Sequence, residues 1–295
     1  MEIRFWGVRG SIPAPGPETV RYGGNTSCLE VLGGSEILVL DAGTGIRKLG
    51  LRLSLRNRPL RIHLLVTHTH WDHIQGFPFF TPIYSPQNEI FVYGPRALEK
   101  SLEAAIMAQL EYSYFPVRGV ELAARVRFRE LGEENFAIGD IGVATKTMNH
   151  PIRVLAYRLT HRGRSAVYTG DNEPYYDVEA GGPRSEAGLR RREEFIRECN
   201  RGVVEFCRGA DLLVADAQYT DAEYRAKRGW GHSSVSHVLE LARDAGVRRL
   251  VLFHHEPEYD DRRLDRIGRA ARARARRLGA RFALSLAREG ETVRV

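Results

Sequence analysis

The stretch VTHTHWDHIQG, residues 66–76, places three of the chain's ten histidines and one aspartate between His68 and His73. Four imidazole or carboxylate groups within six positions is a density suited to metal binding, and chance histidines at a polar strand end do not account for it. In an extended segment residues two apart project to the same side, so His68 and His70 can reach one ion together. DHIQG reads as a helix start with Asp72 in a cap-like position, which turns Asp72 and His73 towards a second ion. Imidazole and carboxylate together suit two divalent ions, zinc first, with manganese or iron as alternatives. Six residues cannot complete two coordination spheres, so the fold must deliver further ligands from a distance.

The pattern around this stretch is strands, helix, strands, helix, in two comparable halves. RIHLLVTH (61–68) is a strand running into the histidine cluster. EIRFWG (2–7), TSCLEVLGG (26–34), SEILVLDAG (35–43) and EIFVYGP (89–95) are further short runs of β type, with Gly33-Gly34 as a hairpin turn. A helix is expected near 96–110, with Leu98, Leu102, Ile106 and Leu110 on one face. Strands near 125–131, 141–148, 153–159 and 164–169 precede a helix near 190–207. Strand DLLVADA (211–217), a helix near 233–245, strand RRLVLFHH (248–255), a helix over 261–279 and two short strands follow. Two sheets packed face to face with helices outside would bury all of these apolar faces. The chain shows no linker, so one domain over 1–295 is expected. Segments 10–25, stiffened by Pro13, Pro15 and Pro17, and 172–188 read as loops placed to act as lids.

The missing ligands are sought where strands end, as sites collect there. His150 follows VATKTMN, Asp171 follows SAVYTG, and His254-His255 follow RRLVLF. Neighbouring side chains on an extended chain point oppositely, so one of His254 and His255 is expected at the metal, and periodicity does not choose between them. His63, within a strand, His161, in a turn, and His237, opposite a helix's apolar face, read as packed or surface histidines.

With THTHWDH, a later His, YTGD and a final strand-end His, the chain resembles the metallo-β-lactamase fold, a four-layer αββα sandwich. The resemblance runs through nearly the whole chain. It implies one metal on His68, His70 and His150, a second on Asp72, His73 and His254, and Asp171 bridging them. It also implies that Asp41, in LDAG, steadies the metal-binding loop. LVADAQY (213–219) and GHSSVSHVLELA (231–242) are similar to segments of the phosphodiesterase branch of that fold, which contains the tRNA 3′-processing endonuclease and cyclic-phosphate diesterases. There an acidic residue and a histidine handle a proton near the leaving group, places filled here by Asp216 and His232. His232 just precedes a helix expected to begin at Ser233 or Ser234, and free helix N–H groups favour an anion. VRGSIPAPG and RYGGNTS look like the start of a cyclic-nucleotide-phosphodiesterase-like subgroup, so Arg9, Arg21 and Asn25 are expected to contact substrate phosphate.

Two adjacent divalent ions lower the pKa of a bridging water and clamp the attacked group, which is hydrolytic chemistry. On this reading Asp72, His232 and Asp216 serve catalysis. The substrate-grasping arm of the tRNA endonuclease lies between its third-motif His and its bridging Asp. Here His150 and Asp171 are 21 positions apart, room for a hairpin only. ADAQ also stands where the nuclease has HEAT. Both departures point to a small or cyclic phosphodiester rather than long nucleic acid. The rivals are a thioesterase, lactonase or β-lactamase on the same ligands, a di-iron oxidoreductase needing a flavin partner, and a non-catalytic protein that would lack ligands.

Composition narrows the setting. The formal charge is +7, and of 44 basic residues only Lys48, Lys100, Lys146 and Lys227 are lysines. Many arginines lie in 261–279, where Leu264, Ile267, Ala271, Ala275 and Leu278 make one apolar helical face, so they read as the solvated side of a docked helix. No run approaches the roughly 20 apolar residues of a membrane span, and the first residues carry no leader pattern. Cys28, Cys199 and Cys207 form no CxxC pair, which suits a reducing cytoplasm. No membrane partner is expected, and a homodimer is left open.

Overall fold

The apolar runs of the first half form six strands: β1 (Glu2–Gly7), β2 (Cys28–Leu32), β3 (Ile37–Leu40), β4 (Arg61–Leu65), β5 (Glu89–Pro95) and β6 (Arg125–Leu131). The structure is a computed structural model and describes residues 1–96, 99–176 and 186–295. β1, β2 and β3 pair antiparallel, and β3 to β6 run parallel. A second set comprises β7 (Asn135–Ile138), β8 (Ile141–Met148), β9 (Val154–His161), β10 (Arg164–Tyr168), β11 (Leu212–Asp216), β12 (Arg249–Phe253) and β13 (Ala283–Leu286). Here β7 to β10 form an antiparallel meander and β10 to β13 run parallel. β14 (Thr292–Arg294) returns to pair with β1, so each sheet has seven strands.

Alternation along the strands explains the layering. Leu38 and Leu40 of β3 meet Leu155 and Tyr157 of β9 in the core between the sheets. Val39, between them, turns outward to Ile46, Leu49 and Leu53 of α1 (Ile46–Ser54). In the second sheet Val251 and Phe253 point inward. Leu250 and Leu252 pack outward against α6 (Val235–Asp244) and α7 (Asp261–Arg277). Strands buried on both faces read as continuous apolar runs, as these do. The result is helices, sheet, sheet, helices, the layering expected from sequence.

Several local expectations change. Of the helix sought near 96–110, the described part is α3 (Leu102–Met107) followed by one 3-10 turn over Ala108–Leu110. Its α-helix is capped by Ser101, whose side chain accepts from the Ala104 N–H, while Leu98 lies outside the described residues. α1, β7 and α5 (Asp221–Lys227) were not foreseen; β7 and α5 are short and carry no long apolar period, whereas α1 places Ile46, Leu49 and Leu53 on one face. α4 (Glu186–Cys207) starts earlier than expected, inside the segment read as a lid. Residues 177–185 of that segment lie outside the described residues. Among the described residues no helix is long and apolar enough to cross a membrane.

The sheet directions gather the candidate residues. β3, β4, β8, β10, β11 and β12 each end just before, or on, one of them: Asp41, the His68–His73 stretch, His150, Asp171, Asp216 and His254. Ligand sites of α/β sheets form at such carboxyl ends.

Candidate metal centre

Two groups of side chains converge there, His68, His70, His150 and Asp171 in one and Asp72, His73, Asp171 and His254 in the other, and a third, Asp171, Asp216, His232 and His254, overlaps them. Within each, one ligand atom per residue lies within 4.8 Å of the others. In the second group His73 Nε2 is 3.3 Å from His254 Nε2 and 3.4 Å from Asp72 Oδ2. His254 Nε2 is 3.0 Å from Asp72 Oδ2, and both imidazole nitrogens are 3.2 Å from Asp171 Oδ1. In the first group His70 Nδ1 and His150 Nε2 are 3.1 Å apart, and His68 Nε2 is 3.4 Å from Asp171 Oδ2. Ligands about 2.0–2.2 Å from one ion sit about 3.0–3.5 Å from each other, so these spacings fit the edges of two coordination polyhedra. Asp171 turns one oxygen to each group. His68 Nε2 and Asp171 Oδ1 are buried without a well-aligned hydrogen bond, although the His73 and His254 nitrogens lie 3.2 Å from Oδ1, a shortfall that a bound cation would remedy. The residues present therefore fit two divalent ions.

Three of the rings are held from behind. His73 Nδ1 faces Asp41 Oδ2 at 2.8 Å, His150 Nδ1 the Gly231 carbonyl at 2.8 Å, and His254 Nδ1 Gln218 Oε1 at 3.1 Å. Such partners fix the tautomer that leaves the other nitrogen for metal. Asp41 also accepts from the Thr67 N–H and hydroxyl and from the Tyr168 hydroxyl, so it ties the loop after β4 to the second sheet. Asp41 and His254 both sit at φ 60°, a left-handed conformation costing a side-chain-bearing residue roughly 1–2 kcal/mol. That turn lets His254 face the cluster while His255 points away, its Nε2 2.9 Å from the Ala287 carbonyl. Two glycines allow close approach. A Cβ on Gly10 would lie 2.4 Å from the His254 ring, and one on Gly231 (φ 88°) 2.1 Å from His150 Nδ1.

The charge states suit a cation. Burial holds His68 neutral and brings His150 down to about 4, so the first group offers neutral imidazoles. Burial alone would raise the pKa values of Asp171 and Asp72, but the histidines around them, His254 and His73 foremost, keep both carboxyls well below the usual range. His73 is driven up against burial by Asp171, Asp72 and Asp41. Three carboxylates thus draw a proton onto one imidazole, the place a metal's stronger charge would take.

His232 lies beside both groups. Its Nδ1 is 3.0 Å from Asp216 Oδ2, and its ring stacks on His254 at 5.0 Å. Burial works against charge on this ring, yet Asp216, Asp171 and Asp72 raise it to about 9. Two details differ from expectation. α6 begins at Val235, with Ser234 as its cap accepting from the His237 N–H, so His232 stands two residues ahead of the cap. The short helix α2 (Trp71–Ile74) has His70, not Asp72, as its cap residue. Asp72 instead accepts from the Ser11 backbone N–H at 2.7 Å.

The expectation for Arg9, Arg21 and Asn25 is corrected: the structure brings none of them to the cluster. Arg9 is wholly buried, donating to the carbonyls of Gly23, Glu256 and Tyr259. Arg21 pairs with Asp265 at 2.8 Å and with Asp261, and Asn25 donates to Glu289. Loop 10–25 does overlie the site, but through Gly10 and Ser11. The remaining histidines are accounted for elsewhere. His63 stacks on Phe91, His161 ends β9 beside Asp140, and His237 is partly buried on α6.

Besides Gly10 and Gln218, which meet the His254 ring, one further residue was missed. Glu173 is buried, and its carboxylate accepts from the Gly229 and Gly231 N–H groups and the Tyr224 hydroxyl. It ties the segment after Asp171 to the turn that supplies the Gly231 carbonyl and His232. Its only sequence signal is its place two positions beyond Asp171 in a polar run.

Similar proteins share this architecture. Residues 37–184 match a family model for the beta-lactamase superfamily domain, half of the chain. Ribonuclease Z of Synechococcus sp. (strain CC9311) is 25% identical over 292 residues, covering 88% of each chain. The metallo-β-lactamase fold protein YhfI of Bacillus subtilis superposes with a TM-score of 0.67 at 18% identity, over 99% of this chain and 98% of that one. The short form of human tRNase Z does so at 0.64 and 21% identity, over 100% and 99%. At these identities the structural likenesses establish the shared fold, and the family match adds descent: the chain belongs to the beta-lactamase superfamily, as a hydrolase of the metallo-β-lactamase fold.

Proposed function

We propose that residues 1–295 form one hydrolase domain that cleaves a small or cyclic phosphodiester with two divalent ions, zinc first. His68, His70 and His150 hold one, Asp72, His73 and His254 the other, and Asp171 both. When bound, the ions activate water and offset phosphoryl charge. The observation that carries the reading is the His232–Asp216 pair beside the cluster. Asp216 accepts from Nδ1 and fixes the ring, leaving the His232 Nε2–H to protonate the departing oxygen. Water and diester then become a phosphomonoester and an alcohol. His70 and His150 are only partly buried whereas His73 and His254 are fully buried, so substrate approaches from the His70 side.

A small substrate is supported by the chain between His150 and Asp171. It contains only β9 and β10, which run away from the cluster and return, with their turn at Arg162-Gly163 at the opposite end. That segment leaves no arm over the site. The likeness to ribonuclease Z favours a second reading, cleavage of RNA near a 3′ end. Zinc- or manganese-loaded protein assayed on 2′,3′- and 3′,5′-cyclic nucleotides, short oligonucleotides, a precursor tRNA, a thioester and a lactone separates the readings. Turnover of a cyclic or short diester supports the proposal. Turnover of precursor tRNA alone, or of thioester or lactone alone, contradicts it. The free cysteines Cys28, Cys199 and Cys207 favour a reducing cytoplasm.

A further inference from the structure

The arginines of α7 are used differently on its different sides. Towards α5 and α6, Arg263 pairs with Glu223 and Arg274 with Glu240. Towards β13, Arg269 and Arg272 line a cavity of about 540 Å³, joined there by Arg288 from just beyond that strand. Among the described residues none of these three forms an ion pair. Arg288 lies over the Tyr22 ring instead, its Cζ 4.6 Å from the centroid. A Cβ on Gly268 would lie 3.4 Å from Arg272 Nη2, so the glycine leaves room for that guanidinium against the helix. Two of the three lining acids are spent. Asp265 is held by Arg21 at 2.8 Å and by the Tyr22 hydroxyl at 3.0 Å, and Glu289 by Asn25 and by Lys48 at 3.3 Å. Glu291 is left to face three guanidiniums. No candidate metal ligand lines the cavity.

We propose that this cavity binds a compact polyphosphate group, as the free anion or as the tail of a nucleotide, at a place separate from the metal centre. Arginines three apart on a helix are neighbours and repel each other, so their convergence on one cavity favours an anion between them. Each guanidinium presents a fork that matches two oxygens of one phosphate. A single sulfate satisfies one fork, whereas linked phosphates engage two or three. The volume is that of a small-molecule site, roughly 300–1,000 Å³. A long polyanion would run past the arginines onto Asp265 and Glu291, whose carboxylates repel it.

Arginine labelling with phenylglyoxal, mapped by peptide mass spectrometry on the zinc-loaded full chain, locates the site. Saturating tripolyphosphate should slow labelling of Arg269, Arg272 and Arg288 at least about threefold and leave Arg262 and Arg277 unchanged. Calorimetric titration should give a Kd at least about tenfold lower for tripolyphosphate than for sulfate. Arg269→Ala/Arg272→Ala changes two exposed helix positions that tolerate alanine. It should raise the Kd for tripolyphosphate at least about tenfold at unchanged zinc content. ATP bound more tightly than tripolyphosphate identifies a nucleotide tail, and equal or weaker binding identifies the free anion; both outcomes support the site. Absence of protection at the three arginines, or sulfate bound as tightly as tripolyphosphate, overturns it. So does an unchanged Kd in the double variant, since the anion then sits elsewhere, as at the metals. A single-stranded oligonucleotide bound more tightly than tripolyphosphate overturns it as well.

Discussion

The first sheet supplies its half of the proposed metal centre from one stretch, His68, His70, Asp72 and His73, directly after β4. The second sheet supplies its half from three strand ends, with His150 after β8, Asp171 after β10 and His254 after β12. A local motif is positioned by a short backbone path, and here by Asp41 gripping Thr67 and His73. A dispersed set is positioned by the sheet, by the unusual turn at His254, and by contacts such as Glu173 that tie loops distant in sequence. The contrast teaches that the two halves should fail differently when broken.

The largest effect should come from the dispersed half. Asp171→Ala removes a ligand shared by both groups, whereas Asp72→Ala touches one. Activity should fall at least about a thousandfold in Asp171→Ala, the several kcal/mol a metal centre supplies. Elemental analysis should find less metal in it than in Asp72→Ala. Equal metal content in the two variants would remove the bridging role.

His232→Ala should lower kcat about a hundredfold or more at unchanged metal content, the effect of one general acid. The loss should shrink for esters with an acidic leaving phenol, which departs without a proton. In wild type the acid must carry its proton, so activity should fall as pH rises. The carboxylates of Asp216, Asp171 and Asp72 raise His232 to about 9. Bound cations oppose its positive form, so the alkaline limb should lie below that value. A pH–rate profile with the same limb in His232→Ala would assign it to another group.

A smaller loss tests the tie between loops. Glu173→Gln keeps the shape but turns an amide donor towards the Gly229 and Gly231 N–H groups. We expect a drop of about tenfold to a hundredfold in activity, as for residues that orient metal ligands. Weaker retention of the ion at His70 and His150 should accompany it, because Gly231 orients His150. Normal metal titration with normal kcat would leave Glu173 a purely structural residue. The smallest effect should be at Arg21. It is paired with Asp265 on an exposed surface, and Arg21→Ala should change KM less than about twofold. A larger rise in KM would return loop 10–25's arginines to the site.

What the sequence disclosed follows the same division. The His68–His73 cluster was legible because its candidate ligands are neighbours: alternation paired His68 with His70, and an expected helix start turned Asp72 and His73 away from them. His150, Asp171 and His254 were legible as strand ends, but the choice between His254 and His255 needed a family resemblance, since the deciding φ at His254 leaves no trace in apolar periodicity. Gly10 and Glu173 were not legible because their partners, His254 and the 229–231 turn, lie far along the chain. Arg9 misled for the same reason. An arginine beside a Gly-rich loop resembles an anion ligand until its carbonyl partners at Glu256 and Tyr259 are known. The layers were legible throughout; β7 and α5 escaped because they have too few residues to show a period, and α1 escaped although Ile46, Leu49 and Leu53 do show one.

The most direct test of a two-ion centre is the metal stoichiometry of the purified wild-type chain after loading with zinc and removal of the excess. Elemental analysis should give two ions per chain, and one per chain in a variant that removes His254. One ion or none in the wild type would contradict the shared role of Asp171 and the centre built around it.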